Sequence, residues 1–328
     1  MDYIFSDTLA SDDISLSATF DSSLDDTTTQ VQLNTMPVST NDSLTNALDN
    51  AVRDLRDASI LIADNIAQRL RLTSKCLPQG VDFSAEEARE MCDDLIPSMR
   101  LQSDQEMEPM MLAFSARHLP ALAACITSCD RATQPVALST YIQVLSLLPA
   151  PESNAYLRAF LSSPAATGLP NVIAWHFTRG LHWIAPSGPG HVCALLTSLL
   201  FWCDAALGDD TRASIDARLR SELGATLPLY LSGETTDRPR EVRRLALERL
   251  AVVLKRIDCA SAAEACEYLA GARRRHGVGR PAQRECCVCH RVTELLCSQC
   301  KTVRFCGKEC QAVAWKDGHQ LQCFTAAV

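Results

Sequence analysis

Lysine and arginine are missing from the first 50 residues, and so is glutamate; nine Asp and 16 Ser or Thr stand there instead. Up to about residue 42 this stretch keeps no sustained helical or strand period. So polar a segment cannot bury enough apolar surface to offset the entropy of ordering it. Residues 1–42 are therefore expected to be a disordered acidic tail. Its acids alternate with Tyr3, Ile4, Phe5, Ile14, Leu16, Phe20 and Leu24, a composition also found in disordered activation segments. The opening MDYIFSDTLASDD has no basic n-region and does not read as a signal peptide. Long apolar runs are scarce as well: the longest, Val192 to Cys203, meets Asp204 well short of the ~18 residues a membrane span needs. Basic charge is in deficit overall, at net −8, which argues against a general nucleic-acid binder. A Gly-rich phosphate loop, a Gly-x-Ser-x-Gly elbow and a His-Glu-x-x-His pair are all absent. Nor is there an alternating apolar-polar run before residue 290, so strands are not expected there.

What fills the gap is helical punctuation. Leu44, Leu48, Val52, Leu55, Ile62, Ile66 and Leu70 recur at helical spacing behind Ser43, a candidate N-cap, and Leu77-Pro78-Gln79-Gly80 closes the segment. Ser84 with Glu87, and Ser261 with Glu264, are capping boxes. Between them the periodicity predicts helices near 85–95, 108–118, 120–130, 134–148, 152–162, 169–184, 190–204, 210–222, 224–232 and 239–256, with one more near 261–275. Their breaks fall at Pro and Gly, among them Pro120 and Gly224. The fold expected for 43–275 is mainly α, either a helical bundle or an α-solenoid-like stack, since no fixed repeat period is found.

One patch of this domain concentrates chemistry: Trp175-His176-Phe177-Thr178-Arg179-Gly180-Leu181-His182-Trp183. Trp175, Arg179 and His182 share a helical face, whereas His176 and His182 do not make a two-His metal face. The expectation is a helix packing its two Trp inward with His and Arg at the rim. The eight scattered cysteines, Cys76, Cys92, Cys125, Cys129, Cys193, Cys203, Cys259 and Cys266, are expected to be small buried hydrophobes.

Residues 276–285 read as a basic linker. Arg273, Arg274 and Arg275 precede it and suit a helix C-terminus, and Arg280 and Arg284 follow. Beyond it, the other eight of the 16 cysteines crowd into 38 residues. Cys286 with Cys289 and Cys297 with Cys300 are Cys-x2-Cys pairs; Cys306 with Cys310 and His319 with Cys323 are four apart. Eight such ligands suffice for two closed tetrahedral Zn²⁺ sites, and the four-apart pairs are expected to share a helix face. With no open coordination position, the zinc is structural. Cys287 and His290 are left over. Consecutive and interleaved pairing of the ligands both fit the spacing.

At these residues the segment resembles the MYND-type zinc fingers. The resemblance rests on the eight-ligand spacing, Phe305 before Cys306, the Cys310-Gln311 pair and Trp315 ahead of His319. Phe305 replaces the commoner Tyr, and Ala314 stands where the family often has a polar residue. The resemblance implies interleaved sites: Cys286, Cys289, Cys306 and Cys310 on one ion, Cys297, Cys300, His319 and Cys323 on the other. It also implies that Gln311 and Trp315 help form a groove for a proline-containing peptide of a partner protein, often in transcriptional or chromatin regulation. The expected protein is thus a non-enzymatic, intracellular adaptor of nucleus or cytoplasm. An alternative makes it a DNA-associated regulator using the acidic tail and the Arg-rich linker. The finger itself does not favour nucleic acid: five Lys or Arg oppose four acids from residue 285 on, and seven thiolates with two Zn²⁺ bring it to about −2. A MYND-containing methyltransferase is a further reading, but no SET-like strands are seen upstream.

Overall fold

The computed structural model describes residues 39–72, 77–78, 80–91, 104–181, 189–203, 215–232, 238–276 and 285–327. The tail to residue 38, Cys76, Cys92, His182, Trp183 and linker residues 277–284 lie outside the described residues. Among the described residues the chain is built from helices, and its β pairing is confined to two antiparallel bridges, Glu285 with Val292 and Leu296 with Arg304. From Asn46 to the C-terminus the protein forms one unit.

Two helices are apolar on nearly every side and sit in the middle of that unit: Pro135–Leu147 and Gly190–Trp202. Gly190–Trp202 packs on Pro135–Leu147, Leu169–Thr178, Arg238–Cys259 and Ala262–His276. Both capping boxes form. The Glu87 N–H donates to Ser84 Oγ (3.0 Å) and the Ser84 N–H to Glu87 Oε2 (2.7 Å); Ser261 and Glu264 repeat the exchange. The Pro135–Leu147 helix has no cap of its own. Asp82, far back in the chain, accepts from the N–H groups of Val136 (3.0 Å) and Ala137 (2.7 Å).

Several predicted boundaries move, each for a local reason. The first helix is Ser39–Arg69, so it takes in residues 39–42 of the expected tail and ends well before Leu77. Arg71 adopts φ +57°, the Leu72 N–H donates to Ala67 C=O and the Arg71 N–H to Gln68 C=O. This is a Schellman ending with arginine in the seat glycine usually takes. Arg71 is held there by Glu87 (3.2 Å) and by the Phe83 ring (5.2 Å). Gly224 does not split the Ala217–Ser232 helix. The Leu169–Thr178 helix stops sooner than expected, with Gly180 at φ +76° beyond it. Of the scattered cysteines, Cys125, Cys193 and Cys203 are buried; Cys129 and Cys266 are half-buried and Cys259 is exposed, against expectation.

The largest correction is at Pro120. Instead of two helices there is one, Asp104–Ser128, running through Pro109 and Pro120. Its stretch Glu108–Ser128, with mean hydropathy 1.3, is long and apolar enough to cross a membrane by composition, although charged and polar residues interrupt its apolar run. It is a core helix: 72% of it is buried, and Arg117 grips Asp64 through two 2.8 Å bonds to the first helix. Proline has no N–H, so Pro120 leaves the carbonyl of Ala116 without its helical partner. That carbonyl accepts instead from the N–H of Ala327 (2.8 Å), near the C-terminus.

The contact belongs to a larger seat. Phe324 is fully buried, with the Arg56 guanidinium 5.7 Å from its ring centre. Its N–H donates to Tyr156 Oη (2.7 Å), and the Tyr156 hydroxyl donates toward the carbonyls of Gln322 (2.8 Å) and Phe324 (3.0 Å). Burial first, then the nearby thiolate positions, drive the Tyr156 pKa far up, so the hydroxyl keeps its proton. Tyr156→Phe leaves the buried Phe324 N–H without a partner. It should destabilise the protein by about 1–3 kcal/mol, read as a lower denaturant midpoint at unchanged slope.

Candidate metal centre

The C-terminal segment is built from two matching turns. In the first, the Cys286 N–H donates to Arg291 C=O and the His290 N–H to Cys286 C=O (3.0 Å). In the second, the Cys297 N–H donates to Val303 C=O and the Lys301 N–H to Cys297 C=O (3.1 Å). The residue after each second cysteine sits in the left-handed region, His290 at φ +59° and Lys301 at φ +57°. Each turn thereby aims its two cysteines inward. The second turn is closed by the Leu296–Arg304 bridge, where the Phe305 N–H reaches Leu295 C=O (3.0 Å). The Lys308–Ala314 helix follows and runs into a wide turn, Trp315–His319, kinked at Gly318 with φ +104°.

This corrects one expectation. Cys306 precedes the Lys308–Ala314 helix, so it and Cys310 do not share a helix face. His319 and Cys323 flank the one-turn helix Gln320–Gln322, so that pair is set across a single helical turn.

The ligands converge as two tetrads, Cys286, Cys289, Cys306 and Cys310, and Cys297, Cys300, His319 and Cys323, with all donor atoms of each within 4.8 Å of one another. The pairing is interleaved. In the first, Cys306 Sγ is 3.3 Å from Cys289 Sγ and 3.4 Å from Cys310 Sγ. In the second, Cys297 Sγ is 3.6 Å from Cys323 Sγ, and Cys300 Sγ is 3.9 Å from His319 Nε2. Zinc bonds of about 2.3 Å to sulfur and about 2.0–2.1 Å to nitrogen imply tetrahedral edges of about 3.5–3.8 Å. The cradles match that size. A disulfide would need sulfurs about 2.05 Å apart, and no disulfide is found among the described residues. Cys287 stays outside both tetrads, with burial pushing its thiol up to about 11. His290 is exposed, 3.8 Å from Glu285.

The protonation pattern explains why a cation is required. In the second tetrad, a hydrogen bond from Cys323, helped by His319 and working against burial, pulls Cys300 down to about 3. The same bond drives Cys323 strongly up. Burial alone would lower His319, but bonds to Cys300 and Cys297 outweigh it and raise its pKa. In the first tetrad, burial opposes ionisation of Cys286, yet N–H groups of Cys289, Val288 and Cys306 hold it near 6. Its neighbour Cys310 is pushed up to about 12, chiefly by its bond with Cys306. Without metal, each tetrad thus concentrates negative charge on one thiolate, to which its neighbours lend protons. Two Zn²⁺ ions would supply the charge that lets the remaining thiols ionise and His319 bind as neutral imidazole, folding a segment too short for a core of its own.

Trp315 is half-buried, its ring edge-on to His319 with centres 6.0 Å apart, and Gln311 is half-buried on the Lys308–Ala314 helix. Phe305 also packs edge-on to His319, with ring centres 5.4 Å apart. The two tetrads differ in exposure. The second is buried throughout and lies against Tyr156 and Phe324, whereas in the first only Cys286 is buried. The Tyr156–Phe324 seat next to the second tetrad carries no sequence motif, and sequence reasoning missed it.

The model of the MYND finger family matches residues 286–323. These residues are a MYND zinc finger, a zinc-binding protein-interaction module. Curated relatives match over the same region. Ubiquitin carboxyl-terminal hydrolase 19 of Arabidopsis thaliana is 51% identical over 39 residues, 12% of this chain and 6% of the relative. Ubiquitin C-terminal hydrolase 15 of Oryza sativa subsp. japonica is 43% identical over 44 residues, 13% of this chain and 4% of the relative. The likeness thus spans a small fraction of either protein. No solved structure matches the chain.

The purified protein should hold two zinc ions per chain by elemental analysis. Because binding displaces protons from thiols held high, apparent affinity should fall as pH is lowered, read by competition with a chromophoric chelator. The ligand Cys323 and the seated Phe324 are adjacent. Chelation should therefore lower the melting temperature of the helical signal by at least about 5 °C, beyond loss of the finger alone.

Proposed function

We propose that the protein is a non-enzymatic adaptor whose finger captures an extended, proline-containing peptide of a partner protein in transcriptional regulation. The observation that carries this reading is the exposure of several aliphatic side chains on the finger. Val292 (76% exposed), Leu295 (61%) and Leu296 lie open along the bridged segments, and Val313 lies open on the helix that bears Gln311. Four exposed aliphatic side chains in a 38-residue module support a role in docking rather than in a core. An extended peptide could lie along the Leu296–Arg304 pairing, with main-chain bonds for affinity and these aliphatic groups for its side chains. Proline suits it because its preset backbone lowers the ordering cost.

Both tetrads are complete with protein ligands, which supports a structural role for the metal and leaves activity to the surface. The hydrolase names of the relatives apply to proteins that share only the finger with this chain, so an interaction module is the common ground. Seven cysteines gathered at metal-ligand spacing, with no disulfide among the described residues, fit a reducing, intracellular setting, nucleus or cytoplasm. The DNA-associated alternative is weakened at Arg273. Its guanidinium is spent on the carbonyls of Phe201 (2.7 Å) and Cys203 (3.2 Å) rather than offered to phosphate.

Gln311→Ala and Trp315→Ala leave all eight ligands in place. Each should weaken binding of a proline-rich peptide by about tenfold, or about 1.4 kcal/mol, while zinc content stays at two. Titration calorimetry with zinc counted in the same samples checks this. Unchanged affinity in both variants, or zinc loss in Trp315→Ala, would make these residues packing only.

A further inference from the structure

Far along the chain from the finger's ligands, the Trp175 patch is arranged differently from the sequence expectation. Trp175 is exposed, not packed inward, and His176 is the buried member. Two guanidinium groups lie against the Trp175 ring, Arg179 at 4.2 Å and Arg131 at 5.0 Å from its centre. Beside them opens a cavity of about 300 Å³, lined by Arg131, Ser139, His176 and Arg179 among others. That is the lower end of the range for small-molecule sites.

The charges around this cavity are out of balance. Arg179 bonds to Glu222 (3.2 Å), which also accepts from Arg218 (2.9 Å). Arg131 has no carboxylate partner among the described residues. Its Nη2 donates to the carbonyls of Arg179 (2.7 Å) and Gly180 (3.3 Å), tying down the end of the Leu169–Thr178 helix. Its Nη1 is buried with no hydrogen-bond partner. Burial, and the positive charge of Arg179 beside it, lower the Arg131 pKa, so the site is short of negative charge. Burial, followed by the same two arginines, brings His176 down to about 4. The imidazole is therefore neutral at physiological pH and offers a hydrogen bond without adding charge.

We propose that this cavity is a binding site for a small oxyanion, a carboxylate or phosphate group, drawn by the positive charge of Arg131 and Arg179, whose guanidinium groups lie against Trp175. A planar fork of donors suits two-oxygen groups of this kind. The stacking on Trp175 fixes the fork before the ligand arrives, which reduces the ordering cost of binding.

The test uses the full-length, zinc-loaded chain with inorganic phosphate and succinate as probes, titrated calorimetrically at low salt. At least one should saturate a single site with a dissociation constant of about 1 mM or tighter. Phosphate alone, succinate alone, or both would each support the site and identify the chemistry it prefers. Arg131→Gln should weaken binding about tenfold or more, and Arg218→Gln, an exposed neighbour on the same Glu222, should leave it unchanged. Since Arg131 also ties down a helix end, far-UV circular dichroism checks its fold, and Arg179→Gln replaces it if that variant does not fold. No saturation by either probe up to about 10 mM, or equal affinity in Arg131→Gln and the parent, would overturn the proposal.

Discussion

Four sulfurs, or three and an imidazole, cannot crowd within 4.8 Å and all be ionised unless a cation sits among them. That electrostatic requirement governs the C-terminal segment, residues 285–327. It makes the metal a condition of folding for a segment whose only regular pairing is two β-bridges and three short helical turns. It also sets where Cys323 stands, and through Cys323 where Phe324 stands. The ligand and the anchor are covalent neighbours, so the energy that closes the second tetrad also seats the tail in the helical unit.

On the helical side, the seat depends on a residue that ordinarily damages helices. Pro120 removes one hydrogen bond from the core helix Asp104–Ser128, and the Ala327 N–H restores it from outside. The exchange leaves no orphaned carbonyl, and it converts a local defect into a tertiary contact. Tyr156 works in the same way, with one hydroxyl serving a donor and two acceptors of the tail.

Much of this was legible in the sequence wherever the signal is local. Ser84 with Glu87 and Ser261 with Glu264 cap helices as their spacing says, and the eight zinc ligands could be named from spacing alone. Their interleaved partition came from resemblance and is matched by the geometry. What could not be read is what depends on distant partners. Asp82 caps a helix more than 50 positions away, a carboxylate with no local mark. Arg71 takes a left-handed seat that glycine would have signalled, because Glu87 and Phe83 hold it there. Pro120 reads as a break until the chain end that satisfies Ala116 is known. Trp175 reads as core by its hydrophobicity; two arginines from different segments draw it to the surface instead.

Because the finger is seated at Phe324 and at Ala327, it does not hang from the helices on a free tether. Its exposed aliphatic side chains keep a constant bearing toward the helical surface. For a partner with a second, weaker point of attachment on those helices, the first capture would turn the second into an intramolecular step. The local concentration would then be set by geometry rather than by how much partner is present. A freely swinging finger would spread that concentration over a wide volume. Seated, it rewards partners whose two contacts have the right separation and penalises those that do not, so selectivity can arise from the spacing between two modest contacts.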